Sequence, residues 1–296
     1  MANDQNGEAQ RRLLAVLIDA DNIPAKYAND IFDEIAGLGE AAVRRVYGDF
    51  SNDYMNGWNK AFASLALVAH QQHANTKGKN SSDIALVIDA MDLMHSGRFD
   101  GFVLVSSDSD FTRLASRIRE QGLIVFGIGR RNTPSSFRSA CNQFIYIENI
   151  VATTVDNGSE QQVSPKQAEP KQQVPKQTTQ KSPTPNPEPT APSQALISEQ
   201  VIESRVIYPP SKAVPIIRKA MAGSDIVEWI TLAALGSKIR AVRSDFDPRD
   251  YGHTKLVDVV RNSGHFDIEM QGNTARVRIK PAQAPKKKPA AGAAKG

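Results

Sequence analysis

The first half of the chain alternates short apolar runs with longer stretches in which apolar residues recur at helical spacing. The apolar runs predict strands at 13–19, 41–50, 102–108, 123–129 and 143–149, and 69–76 is predicted as a short polar strand. The stretches between them predict helices at 22–39, 56–68, 81–97, 109–122 and 134–142. Strands that alternate with helices in this way form a mainly parallel sheet with helices on its faces. The predicted class of this half is therefore α/β.

A second, smaller pattern occupies the last third of the chain. Helical periodicity returns at 212–223, 228–242 and 255–264. It is followed by two alternating segments, "HFDIEMQGN" and "ARVRIK", joined by a Gly272–Asn273 turn. Three helices followed by a hairpin predict a small winged-helix (α+β) domain.

The segment between these patterns is rich in Gln, Pro, Lys, Thr and Ser. Such a composition cannot bury enough apolar surface to offset the cost of ordering, so it predicts a flexible linker. The predicted organisation has five parts. They are a disordered N-terminus at 1–11, the α/β domain at 12–150, the linker at 151–205, the winged-helix domain at 206–280 and a basic disordered tail at 281–296.

Composition narrows the class of protein further. The 296 residues are 40% hydrophobic, and no apolar run approaches the 18 residues of a membrane-spanning helix. The polar N-terminus lacks the apolar core of a signal peptide. The single cysteine, Cys141, excludes an intramolecular disulfide and a multi-cysteine zinc site. These features favour a cytoplasmic protein without a membrane partner.

Charge is distributed unevenly along the chain. Residues 1–155 carry 15 Lys and Arg against 18 Asp and Glu, whereas residues 201–280 carry 13 against 9. The tail adds four lysines and no acidic residue. A basic C-terminal third is a weak indication of a polyanionic partner. An ordinary solvated surface explains the charge equally well.

Polar residues gather where the predicted strands end. Because the carboxyl ends of parallel strands meet at one edge of a sheet, these side chains are expected to converge. Converging carboxylates repel one another unless a cation lies between them, and oxygen ligands suit Mg²⁺ or Mn²⁺. The set is Asp19, Asn22, Asp83, Asp108 and Asp110, with Asp49 as a possible addition.

A structural alternative exists for each of these residues. Asp and Ser after a strand often cap the next helix by accepting hydrogen bonds from its free N–H groups. Asp110 could act only in this way, and Asp83 could simply favour the first turn of its helix. Capping is the better explanation for any one of them, but shared metal binding better explains five at successive element ends.

Three stretches of the sequence that contain these aspartates resemble the NYN domain, a relative of PIN-type nucleases that includes the LabA-like family. "VLIDADNI" is similar to its D-x-x-N opening, and "VLVSSDSDF" to its S-x-D-S-D-F strand end. "KGKNSSDIALVIDAM" is similar to its K-G-x-D helix entry, with one or two extra residues before Asp83. The resemblance covers about residues 12–150 and implies a PIN-like fold.

It also implies a metal-dependent endoribonuclease that uses Mg²⁺ or Mn²⁺. Asp19, Asn22, Asp83, Asp108 and Asp110 would be its catalytic residues, and the four aspartates its metal ligands. Some relatives are regulators without an assigned substrate, so the resemblance supports the fold more strongly than the activity.

The segment "WITLAALGSKIRAVRSDFDPRDYGHTKLVDVVRNSGHFDIE" resembles an OST-HTH, or LOTUS, domain. The resemblance covers about residues 208–280 and implies RNA binding, or protein docking as in some animal members. Basic residues in both domains are candidate RNA contacts. They are Lys77, Lys79, Arg130, Arg131, Lys238, Arg240, Arg243 and Lys255. Each is explained about as well by solvation of a loop or helix.

The sequence thus predicts a nuclease tethered to an RNA-binding domain, which raises the concentration of RNA near the acidic residues. The alternative is a catalytically silent RNA-binding regulator or scaffold whose LOTUS domain docks RNA or a protein partner. The sequence leaves the oligomeric state open.

Overall fold

The computed structural model describes residues 11–51, 55–72, 81–151, 206–222 and 229–280. The predicted N-terminal segment, linker and tail lie outside the described residues, except for positions 11 and 151. Among the described helices, none is long and apolar enough to cross a membrane.

A six-stranded parallel sheet forms the centre of the first domain, which confirms the predicted PIN-like α/β class. Its strands are β1 (Leu13–Asp19), β2 (Glu40–Gly48), β3 (Val68–Gln71), β4 (Gly101–Val105), β5 (Ile124–Gly129) and β6 (Gln143–Tyr146). The strand order is β3-β2-β1-β4-β5-β6. Because β1 pairs with β2 on one side and with β4 on the other, the topological switch lies between β1 and β4. Ligands of such sheets bind outside the carboxyl ends of the strands at this point.

Helices cover both faces of the sheet. They are α1 (Ala28–Leu38), α2 (Asn56–Ser64), α3 (Ser81–His95), α4 (Thr112–Glu120) and α5 (Ser135–Ala140). Successive side chains of β1 point to opposite faces, as the pleat of a strand requires. Val16 and Ile18 pack with α1 and α2, whereas Ala15 and Leu17 pack with α3, α4 and α5.

The second domain contains a three-stranded antiparallel sheet and helices, which confirms its predicted class. Its helices are α6 (Val214–Met221), α7 (Leu232–Val242) and α8 (Leu256–Asn262), and its strands are β7 (Ile230–Thr231), β8 (Phe266–Gln271) and β9 (Thr274–Ile279). The sheet order is β7-β9-β8, with β8 and β9 forming the predicted hairpin. One apolar core lies between the helices and the sheet.

Several predicted element boundaries are wrong, among them the end of the helix predicted at 56–68, which the structure ends at Ser64, and the two that follow. The helix predicted from residue 228 begins at Leu232, because Ile230 and Thr231 pair with β9 as strand β7. The Thr231 side chain then accepts a hydrogen bond from the Ala234 N–H and caps the helix. The strand predicted at 143–149 ends at Tyr146, and residues 147–151 are helical.

Candidate active site

Asp19 is the most buried carboxyl group at the switch point. It ends β1 opposite Tyr47 of β2, and its side chain is only 3% exposed. The Ser106 hydroxyl, just after β4, donates to Asp19 Oδ2 over 2.7 Å, and the Asn22 N–H donates to Asp19 Oδ1 over 3.2 Å. Burial, together with the charges of Asp83 and Asp21, raises the pKa of Asp19 to about 7 despite these hydrogen bonds.

Asp83 approaches the same point from the first turn of α3, the helix that leads toward β4. Burial and the charges of Asp108, Asp21 and Asp110 raise its pKa to about 6. Asp21 is held next to α3 because the Ser82 hydroxyl donates to its Oδ2 over 2.8 Å. The carboxyl groups therefore interact with one another across two strand ends and one helix start.

The loop after β4 contributes the remaining predicted aspartates. The Asp110 N–H donates to Asp108 Oδ1 over 2.9 Å, so Asp108 caps the short 3₁₀ helix Ser109–Phe111. Asp108 therefore does cap a helix, as the alternative explanation proposed. The charge of Asp108 also acts on Asp83. Capping and participation in the acidic cluster are compatible for this residue.

Asn22 joins the loops that follow β1 and β4. Its side-chain oxygen accepts a hydrogen bond from the Ser107 N–H over 3.2 Å. The Ser107 hydroxyl in turn accepts from the Arg130 N–H at the end of β5, over 2.8 Å. This chain of hydrogen bonds ties the ends of three strands together, which suits Asn22 to a positioning role.

Asp49 is engaged in a turn beyond β2. Its Oδ1 accepts hydrogen bonds from the Ser51 N–H and hydroxyl and from the Gln71 side chain over 2.7 Å. The carboxyl charges that act on Asp19 and Asp83 come from the other strand ends and from α3. The structure therefore gives Asp49 a turn-stabilising role and leaves its catalytic role a prediction.

The donor set suits a hard divalent cation, because it consists of carboxylate, hydroxyl and amide oxygens. Raised pKa values at Asp19 and Asp83 show that their negative charges are poorly compensated by the protein alone. Within the described residues, however, no group of three or more His, Cys, Asp or Glu side chains is arranged to hold a metal ion directly. Mg²⁺ commonly keeps several waters and uses only one or two carboxylates, so the residues fit such a water-rich ion.

The predicted basic contacts fall into three groups. Lys77 and Lys79 lie outside the described residues. Arg130 is half-buried at the carboxyl end of β5, and the Arg131 guanidinium donates to Asn149 and Asp250 and lies over the Tyr146 ring. Lys238, Arg240, Arg243 and Lys255 lie on the surface of the second domain.

The predicted set of site residues leaves out three residues that shape this site. Asp21 adds a carboxylate, Ser82 holds it, and the 1% exposed Ser106 holds Asp19. Ser106 also accepts a hydrogen bond from the Asp108 N–H, so it connects two members of the cluster. The sequence feature that could have identified them is the presence of serines and a second aspartate beside the predicted carboxylates, in "DAD", "SSD" and "SSDSD".

Comparisons with known proteins match the chain to two family models and to a solved structure. The family model described as NYN domain matches residues 13–148, and the model described as OST-HTH/LOTUS domain matches residues 208–278. A crystal structure of a protein of unknown function from Vibrio parahaemolyticus is 20% identical, with a TM-score of 0.41. That match covers 50% of this chain and 96% of the other. No curated protein matches the chain.

The chain contains an NYN domain followed by an OST-HTH/LOTUS domain. NYN domains are nuclease-like and OST-HTH domains bind RNA, so the pair supports a nuclease with an RNA-binding domain.

Proposed function

We propose that the protein is a metal-dependent endoribonuclease that hydrolyses RNA phosphodiester bonds in its NYN domain while its LOTUS domain holds the RNA. The observation that carries the proposal is the acidic cluster at the switch point. There the buried Asp19 and the half-buried Asp83 interact with three further aspartates. A fold gains no stability from placing like charges together, so the arrangement is explained by a cationic ligand.

Asp19, Asp83, Asp108 and Asp110 would hold Mg²⁺ or Mn²⁺. The bound ion would supply an activated water and stabilise negative charge on the phosphate. Ser106 fixes the orientation of Asp19 through its hydrogen bond, and Asn22 fixes the β4 loop through Ser107. Asp110, which is exposed at the mouth of the site, is the best-placed candidate for accepting a proton from water.

Binding by the LOTUS domain keeps the RNA close to the acidic cluster. Among the predicted basic residues that the structure describes, Arg130 at the end of β5 is connected to the loops of the cluster through the hydrogen bond of its N–H to Ser107. We keep the cytoplasm as the predicted location, since a chain with one buried cysteine requires no oxidising compartment to fold.

A catalytically silent RNA-binding regulator is the second candidate. The observation that favours it is that no three of the described carboxylates are arranged to ligate one ion directly. In that case the acidic cluster would contribute a charged surface, and RNA binding by the LOTUS domain would be the function.

The test is incubation of the full-length protein with labelled single-stranded RNA in Mn²⁺ or Mg²⁺. Asp19→Asn and Asp108→Asn remove charge from the cluster, and Asp92→Asn is the matched control. Asp92 is exposed on α3, nine residues after Asp83, and its side chain makes no hydrogen bond or ion pair within the described part of the chain.

We expect cleavage that EDTA and both cluster variants abolish and that Asp92→Asn retains. Cleavage by all three variants would place the chemistry elsewhere or in a contaminant. Unaltered RNA binding without cleavage by any version would establish the regulator instead.

A further inference from the structure

The two domains are docked onto each other through the open edge of the parallel sheet. The N–H of Phe144, in edge strand β6, donates to the Ser244 carbonyl of the LOTUS domain over 2.9 Å. The Ser244 hydroxyl donates to the Arg138 carbonyl of α5 over 2.6 Å. The segment after α7 therefore covers an edge whose N–H groups would otherwise lack partners.

Ion pairs surround this contact on both faces of the sheet. Arg249 forms two hydrogen bonds to Glu34 of α1, over 2.9 and 3.0 Å, and is only 15% exposed. On the opposite face, Arg138 and the Tyr146 hydroxyl both donate to Asp245. Paired arginine and carboxylate groups of this kind fix one orientation between the partners.

A cleft of about 660 Å³ opens beside this interface and has walls from both domains. The NYN domain contributes α4 and α5, including Arg119 and Arg138, and the LOTUS domain contributes the end of α7 with Arg240 and the segment after it with Arg243. Asp245 is the acidic residue of this lining. Four arginines against one carboxylate give the cleft a strongly positive character.

One guanidinium group in the cleft is fully available to a ligand. Within the described part of the chain, Arg240 has no hydrogen-bond or ion-pair partner and is exposed. Arg119 uses one terminal nitrogen on the Ser139 and Ala140 carbonyls, which holds its side chain at the wall of the cleft.

The negative charge of Asp245 is largely neutralised by its partners inside the interface. Burial opposes its ionisation, but hydrogen bonds from Tyr146 and Arg243 and the charges of Arg243 and Arg138 lower its pKa below the usual value. The remaining positive charge is accompanied by serine hydroxyls at Ser135 and Ser237. Arginines with hydroxyl groups are the donors that typically hold phosphate oxygens.

We propose that this interdomain cleft, built around Arg119 and Arg240, binds the phosphate backbone of the RNA strand on which the protein acts. That the bound strand is RNA follows from the proposed function. It assigns the RNA contact to a composite surface of both domains, so docking creates the binding site.

The cleft lies at the opposite end of the sheet from the acidic cluster. Asn142, in its lining, accepts from the Val125 N–H near the start of β5, whereas the acidic cluster connects to the end of β5 through Arg130. The six residues of β5 span about 20 Å at 3.3 Å per residue. A stacked strand with 3.4 Å per nucleotide needs about six nucleotides to cover that distance.

The test is RNA binding by the full-length protein in EDTA, measured by fluorescence anisotropy with a labelled 12-nucleotide single strand at several salt concentrations. Arg240→Gln and Arg119→Gln remove one cleft charge each, and Arg218→Gln is the matched control. Arg218 is exposed on α6 of the LOTUS domain and does not line the cleft.

We expect each cleft variant to bind about fivefold more weakly and to reduce the slope of log K against log salt by about 0.7, the loss of one phosphate contact. Arg240→Lys should keep the salt-dependence slope of the unmodified protein, because lysine keeps the positive charge. Arg218→Gln should match the unmodified protein.

Equal slopes for the cleft and control variants would overturn the assignment. The assignment would also be overturned if the cleft variants bound a mononucleotide more weakly but bound the RNA with full affinity. Because binding is measured without metal, the result is independent of whether the acidic cluster cleaves RNA. Cleavage with no dependence on Arg119 and Arg240 would preserve the proposed nuclease and remove only the cleft.

Discussion

Asp19 carries a carboxyl group that the fold removes from water and places near other carboxylates. Its pKa is raised to about 7, whereas in the unfolded chain it is close to 3.8. A raised pKa in the folded state means that the folded protein binds the proton more tightly than the unfolded chain does. The contribution of Asp19 to stability is therefore fully present below pH 3.8 and is lost as the pH rises from there through 7.

Asp19→Asn should remove this loss. In EDTA, the gain in unfolding free energy from the substitution should be about 2.7 kcal/mol larger at pH 8 than at pH 5, because two of the three pKa units, at about 1.36 kcal/mol each, fall in that window. Urea unfolding at the two pH values measures the difference. Asp92→Asn, an exposed residue on α3, should show no such trend, and a pH-independent effect of Asp19→Asn would contradict the raised pKa.

Ser106 is a positioning residue for Asp19 in this account. Its hydroxyl donates to Asp19 and lowers the pKa of that carboxyl group against the effect of burial. Ser106→Ala should therefore raise the pKa of Asp19 further, which carboxyl ¹³C chemical shifts in a pH titration would show. An unchanged titration of Asp19 would mean that the hydrogen bond has no electrostatic role.

At the level of elements, the sequence predicted the strands and their convergence well. The buried strand β1 was predicted to the residue at Leu13–Asp19, because its apolar run is bounded by polar residues on both sides. The interaction of Asp19, Asp83 and Asp108 followed from the rule for parallel sheets.

The missed features depend on tertiary contacts. Ile230 and Thr231 fit helical spacing, and only pairing with β9 makes them a strand. The ion pair of Arg131 was not predicted, because its partner Asp250 lies 119 residues away. No local pattern reports such a distant partner, and the same holds for the docking of the two domains.

Gly129 shows how closely the elements around the site approach one another. A Cβ at this position would lie 2.5 Å from the Ser106 carbonyl oxygen and 2.9 Å from Thr133 Oγ1. The end of β5 can therefore approach the β4 loop only without a side chain.

Gly129→Ala should lower the unfolding free energy by about 1–3 kcal/mol, the usual cost of overpacking, and should impair cleavage through Ser106. Denaturant unfolding measures the first effect. Gly37→Ala is the control of opposite sign, since a Cβ there meets no atom within 4 Å and alanine in the last turn of α1 is favoured by up to about 1 kcal/mol. A neutral Gly129→Ala would mean that the two loops can separate freely.

At the scale of the whole molecule, docking decides whether the LOTUS domain acts as a tethered module or as a wall of the RNA site. The pair between Glu34 and Arg249 is accessible to mutation because both residues lie at the interface and are only partly exposed. Breaking a hydrogen-bonded charge pair of this kind typically costs about 2–5 kcal/mol of interface energy.

Glu34→Arg should release the LOTUS domain from the sheet edge, because it places two guanidinium groups against each other. Each domain keeps its own core, so both should remain folded. The local readout is hydrogen exchange at the Phe144 N–H, whose partner is the Ser244 carbonyl across the interface. Its protection should fall with Glu34→Arg and persist with Asp33→Arg, an exposed neighbour on α1. If docking builds the RNA cleft, Glu34→Arg should also weaken RNA binding as much as removal of Arg119 and Arg240 together. Lost protection with unchanged RNA affinity would show that each domain binds RNA alone and that the interface only orders the molecule.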